Sequence, residues 1–265
     1  MSQISLQMYT LRDYTKTSYD LEKTLEKLRG AGFSTVQYSV PGEADVSDIC
    51  RIFRKTGIQN DSVFCPALSI KERKKDVLSQ CDAFETDYIR TDSIPRGLTS
   101  NAAGYEMFAH YLNEVGNEFK KQCKKLLYHF HTFEFIRFGE ETGIDILLRE
   151  SDPELVQILP DTHWIQCGGE PVVKFLKKYR DRYDYVHVKD YAVAAMQEKL
   201  EDRPIRFAPV GEGNLDWNEI LTFCKEKGVK SYAIEQDECY GRDPFDCVCT
   251  SFKFLSERGL WFLKM

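Results

Sequence analysis

Residues 125–135 read KLLYHFHTFEF, placing two of the chain's five histidines two positions apart at the end of an apolar run. In a β-strand, residues i and i+2 share a face, so His129 and His131 point one way while Tyr128 and Phe130 point the other. Glu134 follows at an odd spacing and joins the imidazoles only if the chain turns after His131. A carboxylate beside two imidazoles suits a metal ion or proton transfer, with an ordinary exposed patch as the alternative. Three further stretches have a similar make-up. PDTHW brings Asp161 and His163, HVKD brings His187, Lys189 and Asp190, and EQDE brings Glu235, Gln236 and Asp237. Taken singly, each has a structural explanation: Asp161 could cap a helix, Glu235 could pair with Lys189, and His187 could be a hydrogen-bonded core histidine. Taken together, a Glu, an Asp, a His and a second Glu would make an oxygen-rich divalent site. Such a set suits Mn²⁺, with Mg²⁺, Co²⁺ or Zn²⁺ as alternatives.

The order of elements has to bring these residues together. Short β-like runs at 4–10, 35–39, 58–65, 87–93, 125–131, 156–162, 185–190 and 232–238 alternate with longer helical patterns, the longest at 101–123. Strict alternation predicts parallel strands joined by right-handed crossovers. Eight repeats in 265 residues predict a closed (β/α)₈ TIM barrel, with an open doubly wound sheet as the alternative. No linker-like composition divides the chain, so residues 1–265 read as one domain. In a barrel the active site lies at the C-terminal ends of the strands, where strands five to eight deliver their imidazoles and carboxylates to one rim. Buried charge is costly unless paired or metal-bound, so four chargeable strand ends in a row point to function. The irregular stretch 191–216 follows strand seven and reads as a binding loop or lid. Its GEG at 211–213 reads as a tight loop entering a helix rather than a phosphate cradle.

Composition narrows the function classes. Hydrophobic residues make up 42% and charged residues 29%, an ordinary globular balance. A net charge of −6 argues against nucleic-acid binding, and the lysine runs at 71–75 and 120–125 read as solvated helix faces. No segment approaches the roughly 18 uninterrupted apolar residues of a membrane span. The N-terminus lacks the basic start and apolar run of a signal peptide. Nine cysteines without a CxxC read as reduced thiols in a cytoplasmic protein, Cys65 among them as an inert buried thiol. His110 reads as a surface or packing residue. The terminal WFLKM, with Trp261 and Phe262, suits either an interface between copies of the chain or packing under the barrel.

LQMYTLRD, YHFHTFEF, PDTHW, HVKDY, VGEGNLDWNEIL and AIEQDE, in this order, resemble the sugar phosphate isomerase/epimerase-like family of xylose isomerase-like TIM barrels. That superfamily also includes endonuclease IV. Family members are isomerases, epimerases, dehydratases such as inosose dehydratase, and lyases acting on 3-keto-glycosides. The resemblance runs from the first strand to the last helix. It implies a divalent-metal-dependent sugar isomerase or epimerase, with a lyase or dehydratase as the alternative. By the same resemblance Glu134, Asp161, His187 and Glu235 hold the ion. His129 is the base with His131 second, and Lys189 touches a substrate oxygen. Gln7, Tyr9, Arg12, His163 and Gln236 are the implied substrate contacts. The chain departs from the family pattern at Phe130, where Asn is usual, at Gln37, where Glu is frequent, and at Cys65, where His is common. These changes remove groups from the acid/base pair of the standard isomerases.

The implied chemistry is proton abstraction beside a carbonyl to give an enediolate, followed by isomerisation, epimerisation or loss of a β-substituent. Phosphodiester hydrolysis in the manner of endonuclease IV needs three metals and more histidines than this rim offers. A non-catalytic sugar-binding or partner subunit is the reading from a different class.

Overall fold

The computed structural model of the chain describes residues 3–41, 44–195 and 204–260, and most of its helices start where the sequence supplies a cap. β1 (Gln3–Leu6) leads to α1 (Ser18–Gly30), whose first turn is closed by the Thr17 side chain. β2 (Thr35–Val36) leads to α2 (Val46–Thr56), capped by Asp45 and ended by Gly57 at a left-handed φ of 68°. β3 (Gln59–Asn60) and β4 (Val63–Phe64) precede α3 (Lys74–Ala83). β5 (Tyr88–Asp92) leads to α4 (Ala102–Lys120), capped by Asn101. β6 (Lys125–His129) leads through a small hairpin, β7 (Arg137–Phe138) and β8 (Glu141–Thr142), to α5 (Gly143–Glu150). β9 (Val156–Leu159) is followed by α6 (Thr162–Cys167) and α7 (Val172–Lys178). β10 (Tyr185–Val188) leads through a second hairpin, β11 (Asp190–Val193) and β12 (Ile205–Ala208), to α8 (Trp217–Lys227). β13 (Ser231–Ile234) and α9 (Pro244–Glu257) complete the series.

The barrel strands pair in parallel and close on themselves. β13 lies between β1 and β10, β2 pairs with β3, and β4, β5, β6 and β9 run side by side. Single bridges complete the ring, Gln7 with Gln37 between the first two strands and Asp161 with His187 between β9 and β10. This is the TIM barrel that the alternation predicts. One expected strand, 58–65, is broken in two at Asp61 and Ser62. The Asp61 carboxylate turns into the barrel and accepts the hydroxyls of Ser5 and Ser62, 2.8 Å each. The stretch 191–216 carries β11 and β12 rather than irregular chain, although 196–203 lies outside the described residues. Trp261 and Phe262 also lie outside them.

The apolar core is an annulus between strands and helices, where Leu126 and Tyr128 of β6 are buried with Phe108, Leu112, Ile144 and Leu147. Burying each such side chain stabilises the fold by about 1.5–3 kcal/mol. Among the described residues, Leu127, Leu159 and Tyr185 form a separate apolar cluster inside the barrel, with Tyr88 against it. The strand pleat enforces this division, since alternate residues face alternate sides. The nine cysteines are all free thiols. Among the described residues no helix is long and apolar enough to cross a membrane.

Candidate metal centre and substrate cavity

Four side chains from four adjacent strands meet at the C-terminal rim. His129, Asp161, His187 and Glu235 are all buried, and one potential ligand atom from each lies within 4.8 Å of the others. Three of the four are oriented by a bond on the far side. His129 Nδ1–H donates to the Leu159 carbonyl (3.3 Å), which leaves Nε2 with a free lone pair. His187 Nε2–H donates to Gln37 Oε1 (2.8 Å), which leaves Nδ1 facing Glu235 Oε2 at 2.9 Å. Asp161 caps α6, its Oδ1 accepting from the backbone N–H groups of His163 and Trp164. Its Oδ2, His187 Nδ1 and Glu235 Oε2 are buried without any hydrogen-bond partner. Buried polar atoms are normally satisfied, so three orphans converging with an imidazole lone pair fit a cation.

Charge in the site follows from burial. Burial pushes the His129 imidazolium well down, so the ring is the neutral form that can act as a ligand. Burial also pushes the Asp161 carboxyl up. Glu235 is held well below the usual carboxylate range, because the Lys189 ammonium outweighs its burial. Lys189 is itself buried, its Nζ 2.7 Å from Asp237, 3.5 Å from Glu235 and 3.8 Å from Asp161. Its ammonium also lies 4.7 Å from the Trp164 ring centre and 5.0 Å from that of Phe207 on β12.

A cavity of about 370 Å³ opens on this group, within the usual size range for a small-ligand site. Its walls include Gln7, Tyr9, His129, His131, Lys189 and Glu235, all singled out in the sequence, and Asp237 beside them. His131 stands 4.8 Å from His129, ring centre to ring centre, and burial lowers its pKa to about 4. Four expected residues lie elsewhere. Glu134, expected among the ligands, is corrected by geometry. The chain does turn after His131, but the Glu134 carboxylate accepts the Tyr128 hydroxyl and the His131 backbone N–H (2.9 Å for the latter). Burial raises its pKa to about 7, and His129 stands where Glu134 was expected. Arg12 lies over the Tyr9 ring and donates to the Tyr9 and Asp237 carbonyls, bracing the rim from outside. His163 Nδ1–H donates to the Asp190 carbonyl, and Gln236 bonds Thr10 and Glu238, so both hold loops rather than line the cavity.

Sequence reasoning passed over Arg90 and Asp92 of β5, Trp164 and Phe64, which also line the cavity. The signal for the first two was the IRTD alternation in 89–92, which places two charged residues on one strand face. Asp190 anchors the segment above the site. Its carboxylate accepts from the N–H groups of Tyr191, Gly211 and Gly213 and from the Trp217 indole (2.6 Å). The GEG stretch is thus a tight loop wrapped on a carboxylate, and a Cβ at Gly213 would sit 2.3 Å from Asp190 Oδ1.

Comparison with known proteins accords with this architecture. The family model described as "Xylose isomerase-like TIM barrel" matches residues 25–240. An inosose dehydratase of Clostridium perfringens is 28% identical over 169 residues, which cover 60% of this chain and 56% of that protein. The chain thus spans little more than half the length of that curated relative. A sugar phosphate isomerase/epimerase from Parabacteroides distasonis superposes with a TM-score of 0.82 at 19% identity, covering 98% of this chain and 96% of that one. The IOLI protein with a bound zinc atom superposes with a TM-score of 0.72 at 13% identity, covering 99% and 100%.

Proposed function

The chain belongs to the xylose isomerase-like TIM barrel family, and on that footing we propose that it is a divalent-metal-dependent dehydratase of a keto sugar or keto cyclitol. The observation that carries the reading is the converging group of four ligand atoms, three of them buried without a hydrogen-bond partner. His129 Nε2, Asp161 Oδ2, His187 Nδ1 and Glu235 Oε2 would hold the ion, and two nitrogens with two oxygens suit Zn²⁺ or Mn²⁺. When bound, the ion supplies Lewis acidity toward a substrate carbonyl and its neighbouring hydroxyl. With His129 engaged as a ligand, the base passes to His131, which lines the cavity beside it.

His131 takes the proton on the carbon next to the carbonyl. Lys189, held as an ammonium by Asp237, gives a proton to the β-hydroxyl, which leaves as water. One C–H and one C–O bond break and one C=C bond forms. The proton on His131 returns through solvent to Lys189. Trp164 and Phe207 cover the Lys189 ammonium and keep water from its faces. Isomerisation or epimerisation would share the first step and differ in where the proton returns. The dehydratase relative favours elimination.

The test is incubation of the metal-loaded protein with a keto-inositol in D₂O. Loss of one water from the mass, with near-ultraviolet absorption of an unsaturated ketone, is expected. His131→Ala should lower kcat/KM by about 10²–10⁴-fold. Deuterium uptake without water loss would move the reading to isomerase or epimerase. Absence of both water loss and deuterium uptake would overturn proton abstraction altogether.

A further inference from the structure

Arg90 is the least expected group inside the barrel. It is 3% exposed, and burial works against its charge. Its Nε donates to Ser62 Oγ at 2.7 Å, and Ser62 Oγ donates in turn to Asp61 Oδ1 at 2.8 Å. Its Nη2 is buried with no partner, and no described carboxylate lies within ion-pair distance of the guanidinium. Phe64 packs against it, 5.6 Å from ring centre to guanidinium carbon. A cation taken from water and left with an idle donor is costly, and it persists where a ligand supplies the missing acceptor. Both Arg90 and Asp92 line the cavity of the metal group, and they stand two apart on β5, hence on one face. Asp92 pairs in register with His129 across the sheet, which sets it at the level of the metal group, with Arg90 one layer deeper.

We propose that Arg90 Nη2 and the Asp92 carboxylate form a subsite for two neighbouring hydroxyls of a neutral polyol ring, with Ser62 and Asp61 as positioning residues beneath Arg90. The inference deepens the sugar reading above and rests on it. A guanidinium donates to one hydroxyl oxygen while a carboxylate accepts the O–H of the next, the pairing a vicinal diol offers. Local charge selects a neutral ring over a phosphate ester. The Arg90 charge is matched by Asp92 above and Asp61 below, and Lys189 by Asp237. A divalent ion would be matched by Asp161 and Glu235. Among the described residues that line the cavity, no cation remains for a phosphate dianion.

Direct binding separates this inference from the dehydratase reading. Calorimetry of Zn²⁺-loaded protein with myo-inositol, which has no carbonyl to react, reads the subsite without turnover. The wild type is expected to bind myo-inositol more tightly than inositol monophosphate. Arg90→Gln and Asp92→Asn should each weaken the myo-inositol Kd about tenfold or more, the loss of one charge-assisted hydrogen bond. Asp92→Asn keeps shape and volume, so it remains informative should Arg90→Gln fold poorly. Unchanged affinity in Asp92→Asn, tighter binding of the phosphate in the wild type, or no binding of either ligand would each overturn the subsite. Binding that behaves as expected in a protein unable to dehydrate keto-inositol would leave the subsite standing and sink the dehydratase reading alone.

Discussion

His129 and Glu134 lie five residues apart, and the imidazole rather than the carboxylate reaches the converging ligand group. A carboxylate is the more usual partner for a hard divalent ion, yet Glu134 is turned away by two local bonds. The Tyr128 hydroxyl and the His131 N–H claim it, the second because a histidine begins the turn three residues ahead. That competition is local and invisible to a reading of strand ends, which sees only that a carboxylate follows the imidazoles. His129→Ala should lower the metal bound per chain at limiting Zn²⁺, with Kd weakened at least tenfold by mass spectrometry of dialysed protein. Glu134→Gln should leave metal content near wild type. Glu134 also predicts a pH effect. Its folded pKa of about 7 lies above the ordinary carboxylate value of 4.5, so the protonated form is favoured by folding. Its contribution is full below about pH 4.5 and is lost as pH rises through 7. Urea unfolding of the wild type against Glu134→Gln should show the wild type losing up to about 3 kcal/mol relative to the variant across that window.

At the scale of elements, the site depends on side chains that also serve their own segments. Asp161 caps α6 with one oxygen and faces the ligand group with the other. Asn is an equally good cap, so Asp161→Asn should keep the thermal unfolding temperature of the metal-free protein within a few degrees while abolishing tight metal binding. Asp190 has no such second duty: its contacts fold 211–217 under the β11–β12 hairpin. Gly213→Ala should displace that carboxylate, destabilise the protein by about 2 kcal/mol, and raise protease cleavage within the hairpin. The elements were largely legible in the sequence, because period-two strands, capping residues and glycine stops are local signals. The hairpins and the break at Asp61 were not. The first depends on pairing very short strands, and the second on a carboxylate drawn toward Ser5 from far along the chain.

For the whole molecule, the ligand group joins β6, β9, β10 and β13, half of the barrel's circumference. Metal binding should therefore stabilise global folding rather than one loop. At a free Zn²⁺ concentration 100 times Kd the gain is about 2.7 kcal/mol. A chain of this size should then unfold roughly 5–10 °C higher, and a chelator should reverse the shift in a scan monitored by circular dichroism. The barrel and the gathering of chargeable residues at one rim could be foreseen because eightfold alternation is a property of the whole sequence, whereas the choice among rim residues is decided by contacts of a few ångströms. The annular core has a consequence for redesign. The hydrophobic driving force sits outside the strands, while the shaft within is lined by Ser5, Asp61, Ser62, Arg90 and Ser231. A substitution library confined to the inward polar positions would therefore leave the annular apolar core intact and vary the lining of the shaft. Such a library should return a high fraction of expressible variants, with altered ligand preference spread along the shaft from rim to floor.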